Sequence, residues 1–147
     1  MAQNRLEYHI KPDQRLTFKI KAGQTLQIGQ VVEVTGDMEV GLSGADSAKV
    51  LGVVYGGTVG NAGVTGISGL PDYVLSGFSG DRKEVVSVIT KGNLVYFKQP
   101  ATPLAAGAKV GADANGTYKA AGAGDVLGMV VSATSKVAGY GILCLKV

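Results

Sequence analysis

Few side chains in this sequence have the chemistry of a nucleophile, a general base or a transition-metal ligand. The chain has one histidine, His9, and one cysteine, Cys144, near opposite ends of its 147 residues. A Ser-His-Asp or Cys-His site would need His9 to meet a partner from the far side of the domain. Two such residues are also too few for a transition-metal site. The carboxylates are mostly isolated, and none falls in the pattern of an acidic calcium loop.

Glycine-rich stretches give no catalytic motif either. The sequences GLSG, GISG and GFSG have the wrong spacing for the Gly-x-Ser-x-Gly turn that carries a nucleophilic serine. No Gly-Lys pair occurs, so a Walker-type phosphate loop is absent from the sequence. We therefore expect no enzyme, and no catalytic, cofactor-binding or metal-binding residues.

The composition favours short strands joined by many turns. Hydrophobic residues make up 46% of the chain, charged residues 17%, and glycine occurs 23 times. A helical bundle would need Leu, Glu and Lys at a helical period, which is missing here. The sequence predicts an all-β chain with a single small β-barrel or β-sandwich, an extended N-terminal arm and a long Gly-rich loop.

Charge and targeting signals restrict the partners. The net charge is +3, and the basic residues form no dense patch with interleaved aromatic residues. We therefore expect no nucleic-acid partner. The polar N-terminus has no signal-peptide core and no apolar run reaches the length of a membrane span, so we expect synthesis in the cytoplasm and no membrane partner. A single cysteine fits a reducing compartment.

Turn signals divide the chain into strands. A hairpin is expected around Thr35-Gly36-Asp37, where glycine and aspartate tolerate the left-handed backbone of a tight turn. The run KVLGVVY predicts a strand buried on both faces. Further hairpins are expected at Lys91-Gly92-Asn93 and at Asn115-Gly116, and the segments DVLGMVVS and GYGILCLKV predict two closing strands.

Two stretches of the sequence resemble each other. The run KVLGVV (49–54) recurs as DVLGMV (125–130), and AGQTLQIGQVVEV shares its placement of small residues before a strand with AAGAKVGADA. In both Leu-Gly pairs the leucine can pack while Gly52 or Gly128 relieves crowding. This similarity indicates either an internal structural repeat or the ordinary likeness of valine-rich strands.

The first 21 residues are predicted to be an extended arm, followed by the β-domain at 22–147. Leu6, Tyr8 and Ile10 alternate with polar residues, as apolar residues do again between residues 16 and 20, and this is the period of a half-buried strand. Pro12 separates the two runs. Such strands can pair within their own domain or add to the sheet edge of a partner.

Residues 56–80 are predicted to be a Gly-rich loop inserted between strands. Glycine stands at every third position from Gly57 to Gly69, but few prolines accompany the triplets, which argues against a collagen helix. The apolar residues between the glycines predict that the loop packs against a partner or a sister subunit. The expected contact residues are Val59, Val64, Ile67, Leu70 and Tyr73.

The order of these motifs resembles that of the head-decoration, or capsid-cement, proteins of tailed bacteriophages. Those proteins have an N-terminal arm and then an Ala-Gly opening that leads into a Gly-Gln-Val-Val strand, like residues 22–34. A Leu-Gly-Val strand follows, like Leu51-Gly52-Val53, and a second Leu-Gly strand, like Leu127-Gly128, precedes a closing apolar strand. The resemblance covers about residues 16–147, with residues 56–80 as an insertion.

The resemblance implies a structural protein of the virion, on the outer capsid surface, that cements neighbouring capsid subunits. The expected partners are the major capsid protein and further copies of the chain, as a homotrimer or alternatively a homodimer. Leu6, Tyr8 and Ile10 would contact the neighbouring subunit, and Lys11 and Arg15 would add complementary charge at the rim.

Two other classes of function remain open. A tail, baseplate or head-fibre component would share the β-rich composition but form rings, tubes or fibres. A β-sandwich module that binds carbohydrate is less consistent with the sequence, because it has no tryptophan and its six tyrosines are dispersed.

Overall fold

The computed structural model of the chain describes residues 7–9, 15–55 and 85–147, with side chains from residues 16–55 and 86–147. Apart from a short 3-10 turn at Ala114–Gly116, the regular elements in these ranges are strands. The chain is all-β, as its composition predicted. The Gly-rich loop at 56–80 and most of the first fourteen residues lie outside the described ranges.

The strands are named here in chain order. They are β1 (Glu7–His9), β2 (Arg15–Ile20), β3 (Val31–Gly36), β4 (Glu39–Leu42), β5 (Val50–Val54), β6 (Val85–Ile89), β7 (Leu94–Lys98), β8 (Lys109–Asp113), β9 (Thr117–Ala120), β10 (Val126–Ser132) and β11 (Tyr140–Leu145).

The strands form two sheets. Five of them close a barrel in the order β2-β4-β3-β5-β6, and the other six form a sheet in the order β1-β7-β11-β10-β8-β9. Among the described strands, neighbours run antiparallel except for β2 and β4, which are parallel. The parallel pair is the seam that closes the barrel.

The two sheets share apolar packing because barrel strands are buried on both faces. Val54 and Val88 point into the barrel, where they pack with Leu26. Their neighbours Val53 and Ile89 point the other way, because side chains alternate along a strand, and join the core under the six-stranded sheet. This confirms that KVLGVVY supplies a strand, β5, that is buried on both faces.

The chain uses the same strand arrangement twice. The order β4-β3-β5-β6-β2 in residues 15–89, the first half, matches β9-β8-β10-β11-β7 in residues 94–145, the second half. The registers match as well. Val32 lies opposite Gly52 in the first half, as Val110 lies opposite Gly128 in the second.

Equivalent loops also make equivalent hydrogen bonds. The amide of Gly29 donates to the carbonyl of Val54 at 2.9 Å, and the amide of Gly107 donates to that of Val130 at 2.7 Å. Both glycines need a left-handed backbone, with φ of 84° and 88°. The similarity between KVLGVV and DVLGMV therefore reflects an internal structural repeat.

The expected hairpin at Lys91-Gly92-Asn93 is wrong. The strands on either side of it, β6 and β7, belong to different sheets, so this turn carries the chain from the first half to the second. Gly92 donates its amide to the carbonyl of Leu145, and the buried Asn93 side chain donates to the carbonyl of Thr90. Both edges of β6 are already paired, to β2 and β5, and β6 therefore has no edge left for β7.

The hairpin between β3 and β4 is confirmed, but its left-handed residue differs from the prediction. Met38 has a φ of 55°, whereas Gly36 and Asp37 are not among the residues with positive φ. A register shift between Val34 and Gly36 moves the turn by about one residue, so the strained position falls on Met38.

The turn and the strands predicted for the last part of the chain are confirmed. Asn115 and Gly116 have φ of 58° and 70° and connect the antiparallel strands β8 and β9. The two closing strands, β10 and β11, pair with each other, and Cys144 in β11 is half-buried.

Candidate functional site

The structure describes only the backbone of two residues that were predicted to bind a partner. Tyr8 lies in β1, and Arg15 is the first residue of β2. The others, and the side chains of these two, lie outside the described residues; they are Leu6, Ile10, Lys11, Val59, Val64, Ile67, Leu70 and Tyr73. Their role in partner binding stays a prediction.

The two described pieces of the predicted arm have different surroundings. β2 pairs on one side with β6, where Arg15 lies opposite Ile89, and on the other with β4. Both of its edges are used within the barrel, so β2 cannot add to a partner's sheet while the barrel is closed. β1 pairs with β7, with Glu7 opposite Val95, and it is the end strand of the six-stranded sheet as described.

The halves differ at the seam that closes the barrel. In the first half the amide of Lys19 donates to the carbonyl of Met38 at 2.9 Å, and that of Lys21 donates to Val40 at 2.8 Å. These bonds join β2 to β4. The equivalent strands of the second half, β7 and β9, share no ladder among the described residues, and β1 pairs with the edge of β7 instead.

A cleft of about 280 Å³ opens at this unclosed seam. One wall consists of residues 98–101 at the end of β7, and the opposite wall of Asp113 and residues 116–118 around β9. Gly29 and Gln30 of the first half complete the lining. Sequence reasoning missed this site because its walls come from three separate segments.

Tyr118 is the largest side chain in the lining, and it is held in place on two sides. Its hydroxyl donates to the backbone carbonyl of Gly29, and its ring meets that of Phe97 edge-on at 5.7 Å. Burial, with a smaller contribution from Tyr140, raises the pKa of the Tyr118 hydroxyl far above its usual range. The hydroxyl therefore remains a neutral donor, and Tyr118 is a fixed wall.

Gln99 fixes the other wall. Its side-chain Nε2 donates to the carbonyls of Leu104 and Ala133 at 3.1 and 2.9 Å, and its Oε1 accepts from the Leu104 amide at 2.9 Å. By strand register, Gln99 is the equivalent in the second half of Ile20 in the first half, and the side chain of Ile20 faces the barrel interior. A polar side chain is tolerated at this position because both its Nε2 and its Oε1 have hydrogen-bond partners. Both walls of the cleft are thus preorganised.

The ionisable groups elsewhere in the described residues were compared with the requirements of a metal site. Within residues 7–9, 15–55 and 85–147 no three His, Cys, Asp or Glu residues gather as metal ligands, and no helix there is long and apolar enough to cross a membrane. Lys119 pairs with Asp46 at 2.7 Å on the surface. No protein-family model matches the chain, and comparison with curated proteins finds no match.

Proposed function

We propose that this chain is a non-enzymatic structural protein of a tailed-phage virion. It binds the outer surface of the head and cements neighbouring capsid subunits. The observation that carries the proposal is the position of β1: part of the predicted arm is the end strand of a sheet, paired on one side by β7. An end strand can pair with a strand of a neighbouring subunit on its other side.

The rest of the fold suits a mechanical role. The barrel and the six-stranded sheet share a core that includes Val53, Ile89, Phe97 and Leu143, so load applied to β1 passes into a domain packed as one body. The basic surplus of the chain, with a net charge of +3, would complement an acidic capsid surface. Binding as a homotrimer, or as a homodimer, would multiply a weak single contact.

The test uses heads from a phage in which the gene for this chain is deleted. Purified protein is added to these expanded heads, which are then imaged by cryo-electron microscopy. We expect density on the outer surface at symmetry-related sites. Rings, tubes or fibres in the absence of heads would instead favour a tail, baseplate or head-fibre part.

The role of β1 needs a deletion that leaves the barrel whole. Removing residues 1–9 takes away β1, whereas removing residues 1–21 would also take away β2, which closes the barrel. We expect the shorter deletion to fold and to lose occupancy on the heads. Val131→Lys, at an exposed residue of β10, serves as the surface control and should retain occupancy.

An empty surface on the heads with the full-length chain would overturn the proposal. Full occupancy by the chain without residues 1–9 would leave the capsid role standing and remove β1 from the contact. Light scattering of the purified chain, with and without heads, separates the trimer from the dimer.

A further inference from the structure

The backbone of β9 repeats, at the edge of the cleft, the arrangement that β4 uses to close the barrel. Val40 in β4 lies opposite Val34, whose amide donates to the carbonyl of Lys49 and not to β4, so the N–H and C=O of Val40 point away from β3. There the carbonyl accepts the amide of Lys21. Tyr118 in β9 has the same position opposite Ala112, whose carbonyl accepts the amide of Asp46, and its N–H and C=O likewise point away from β8, at the edge of β9 that pairs with no described strand.

The residue that would complete this closure in the second half is a proline. Phe18 lies opposite Val86, and Phe97 lies opposite Gly141 at the equivalent point of the second half. Lys21 comes three residues after Phe18, and Pro100 comes three residues after Phe97. Proline has no N–H, so Pro100 cannot donate a hydrogen bond like the one that Lys21 donates to the carbonyl of Val40 in the first half.

The cleft lies where this bond is missing. Pro100 lines one wall and Tyr118 the other. Its volume of about 280 Å³ is near the lower end of the ~300–1,000 Å³ of ordinary ligand pockets. This suits a few residues of extended chain. The walls are already fixed by Gln99 and Tyr118, so little ordering of the protein is needed when a ligand enters.

We propose that this cleft binds an extended peptide segment of another protein chain. The segment lies parallel to β9, as β2 lies parallel to β4, and donates a main-chain N–H to the carbonyl of Tyr118. A polypeptide is the occupant because the first half of the same chain fills the equivalent position with its own residues 19–21. The cleft and β1 lie along the same edge of β7: β1 pairs at Leu94 and Val95, and the cleft begins at Lys98.

The probe is a peptide with the sequence of residues 17–22, TFKIKA, blocked at both ends and labelled with a fluorophore. Its matched control carries an N-methyl group on the amide of the second lysine, which removes the donor but keeps the charge. Binding to the full-length protein is followed by fluorescence anisotropy. We expect the N-methyl peptide to bind at least about fivefold more weakly, the effect of one lost hydrogen bond.

A variant that fills the cleft tests the location. Ala101 lines the cleft and is exposed, whereas Ala106 is exposed and is not among the lining residues. Ala101→Trp should abolish binding of the probe, while Ala106→Trp should leave it unchanged. Both variants should keep the thermal midpoint of the parent, and Ala101→Trp should still occupy phage heads if the capsid proposal holds.

Amide chemical shifts distinguish the cleft from the barrel seam. Binding at the cleft shifts residues 99–101 and 116–118, whereas displacement of β2 by the probe would shift β4 and β6. The proposal would be overturned if the probe did not bind at millimolar concentration, or if the N-methyl peptide bound equally well. It would also be overturned if Ala101→Trp kept full binding, or if the chemical shift changes were confined to β4 and β6.

Discussion

Gly52 and Gly128 occupy the same position in the two halves, and each lets its strand approach a neighbouring carbonyl. A β-carbon at Gly52 would lie 2.1 Å from the carbonyl oxygen of Ile89, and one at Gly128 would lie 2.1 Å from that of Cys144. A backbone oxygen cannot move aside as a flexible side chain can. The repeated Leu-Gly pair thus marks one packing solution used twice.

Substituting either glycine by alanine should therefore destabilise the fold. We expect Gly52→Ala and Gly128→Ala each to lower the free energy of unfolding by at least about 2 kcal/mol, because the neighbouring strand must shift. Urea denaturation measures the change. The matched control is Gly44→Ala, where a β-carbon would meet nothing within 4 Å. Losses below about 0.5 kcal/mol at both strand positions would contradict this packing.

The hydrogen bond between Tyr118 and Gly29 links the second half to the first. Tyr118→Phe keeps the ring and its edge contact with Phe97 but removes the donor to the Gly29 carbonyl. We expect a loss of about 1–3 kcal/mol in unfolding free energy, because a buried acceptor is left unpaired. Tyr118→Leu, which also removes the ring contact, should lose more. Equal stability of the parent and Tyr118→Phe would show that the bond contributes nothing.

Alkaline pH should weaken the fold through the same residue. Burial raises the pKa of Tyr118 in the folded chain, while an unfolded tyrosine ionises near pH ~10. The folded state therefore keeps a proton that the unfolded state loses, so the stabilisation is complete below about pH 10 and falls as pH rises above it.

The difference between the parent and Tyr118→Phe isolates this effect, because the two proteins share every other ionisable group. The parent should lose up to ~1.4 kcal/mol more per pH unit above pH ~10. Denaturant unfolding between pH 8 and 11 measures it. Parallel pH curves for the two proteins would refute the assignment.

Gln99 should control the order of the segment that follows it. Gln99→Met removes the hydrogen bonds to Leu104 and Ala133 while keeping a similar volume. We expect a loss of about 2 kcal/mol and faster hydrogen exchange at the Leu104 amide, which loses its acceptor. Thr102→Met, at a nearby exposed residue, is the control and should change neither quantity. Unchanged exchange at Leu104 in Gln99→Met would contradict this role.

Much of the strand content could be predicted because strand signals are local. Continuous apolar runs predicted β5, β10 and β11, and Asn115-Gly116 predicted the turn between β8 and β9, where both residues have positive φ. The Leu-Gly similarity left two explanations open, and the structure decided for the repeat: the close approach at Gly52 and Gly128 requires glycine in both copies.

Pairing between strands was harder to predict. The turn at Lys91-Gly92-Asn93 has the residues of a hairpin, yet it joins two sheets. A turn signal reports that the chain changes direction, while the partner of the next strand depends on which edges are free. The prediction failed because β2 and β5 already occupy both edges of β6.

The sequence by itself determined that this chain is all-β and where many of its strands and turns lie, and it raised an internal repeat as one of two explanations for the Leu-Gly pairs. Period, turn chemistry and the need for glycine are properties of short segments. Tertiary structure decided the closure of one half and the cleft in the other. The absent N–H of Pro100 has a consequence only after folding gives Pro100 the position in the second half that Lys21 has in the first, and brings it to the same cleft as Tyr118.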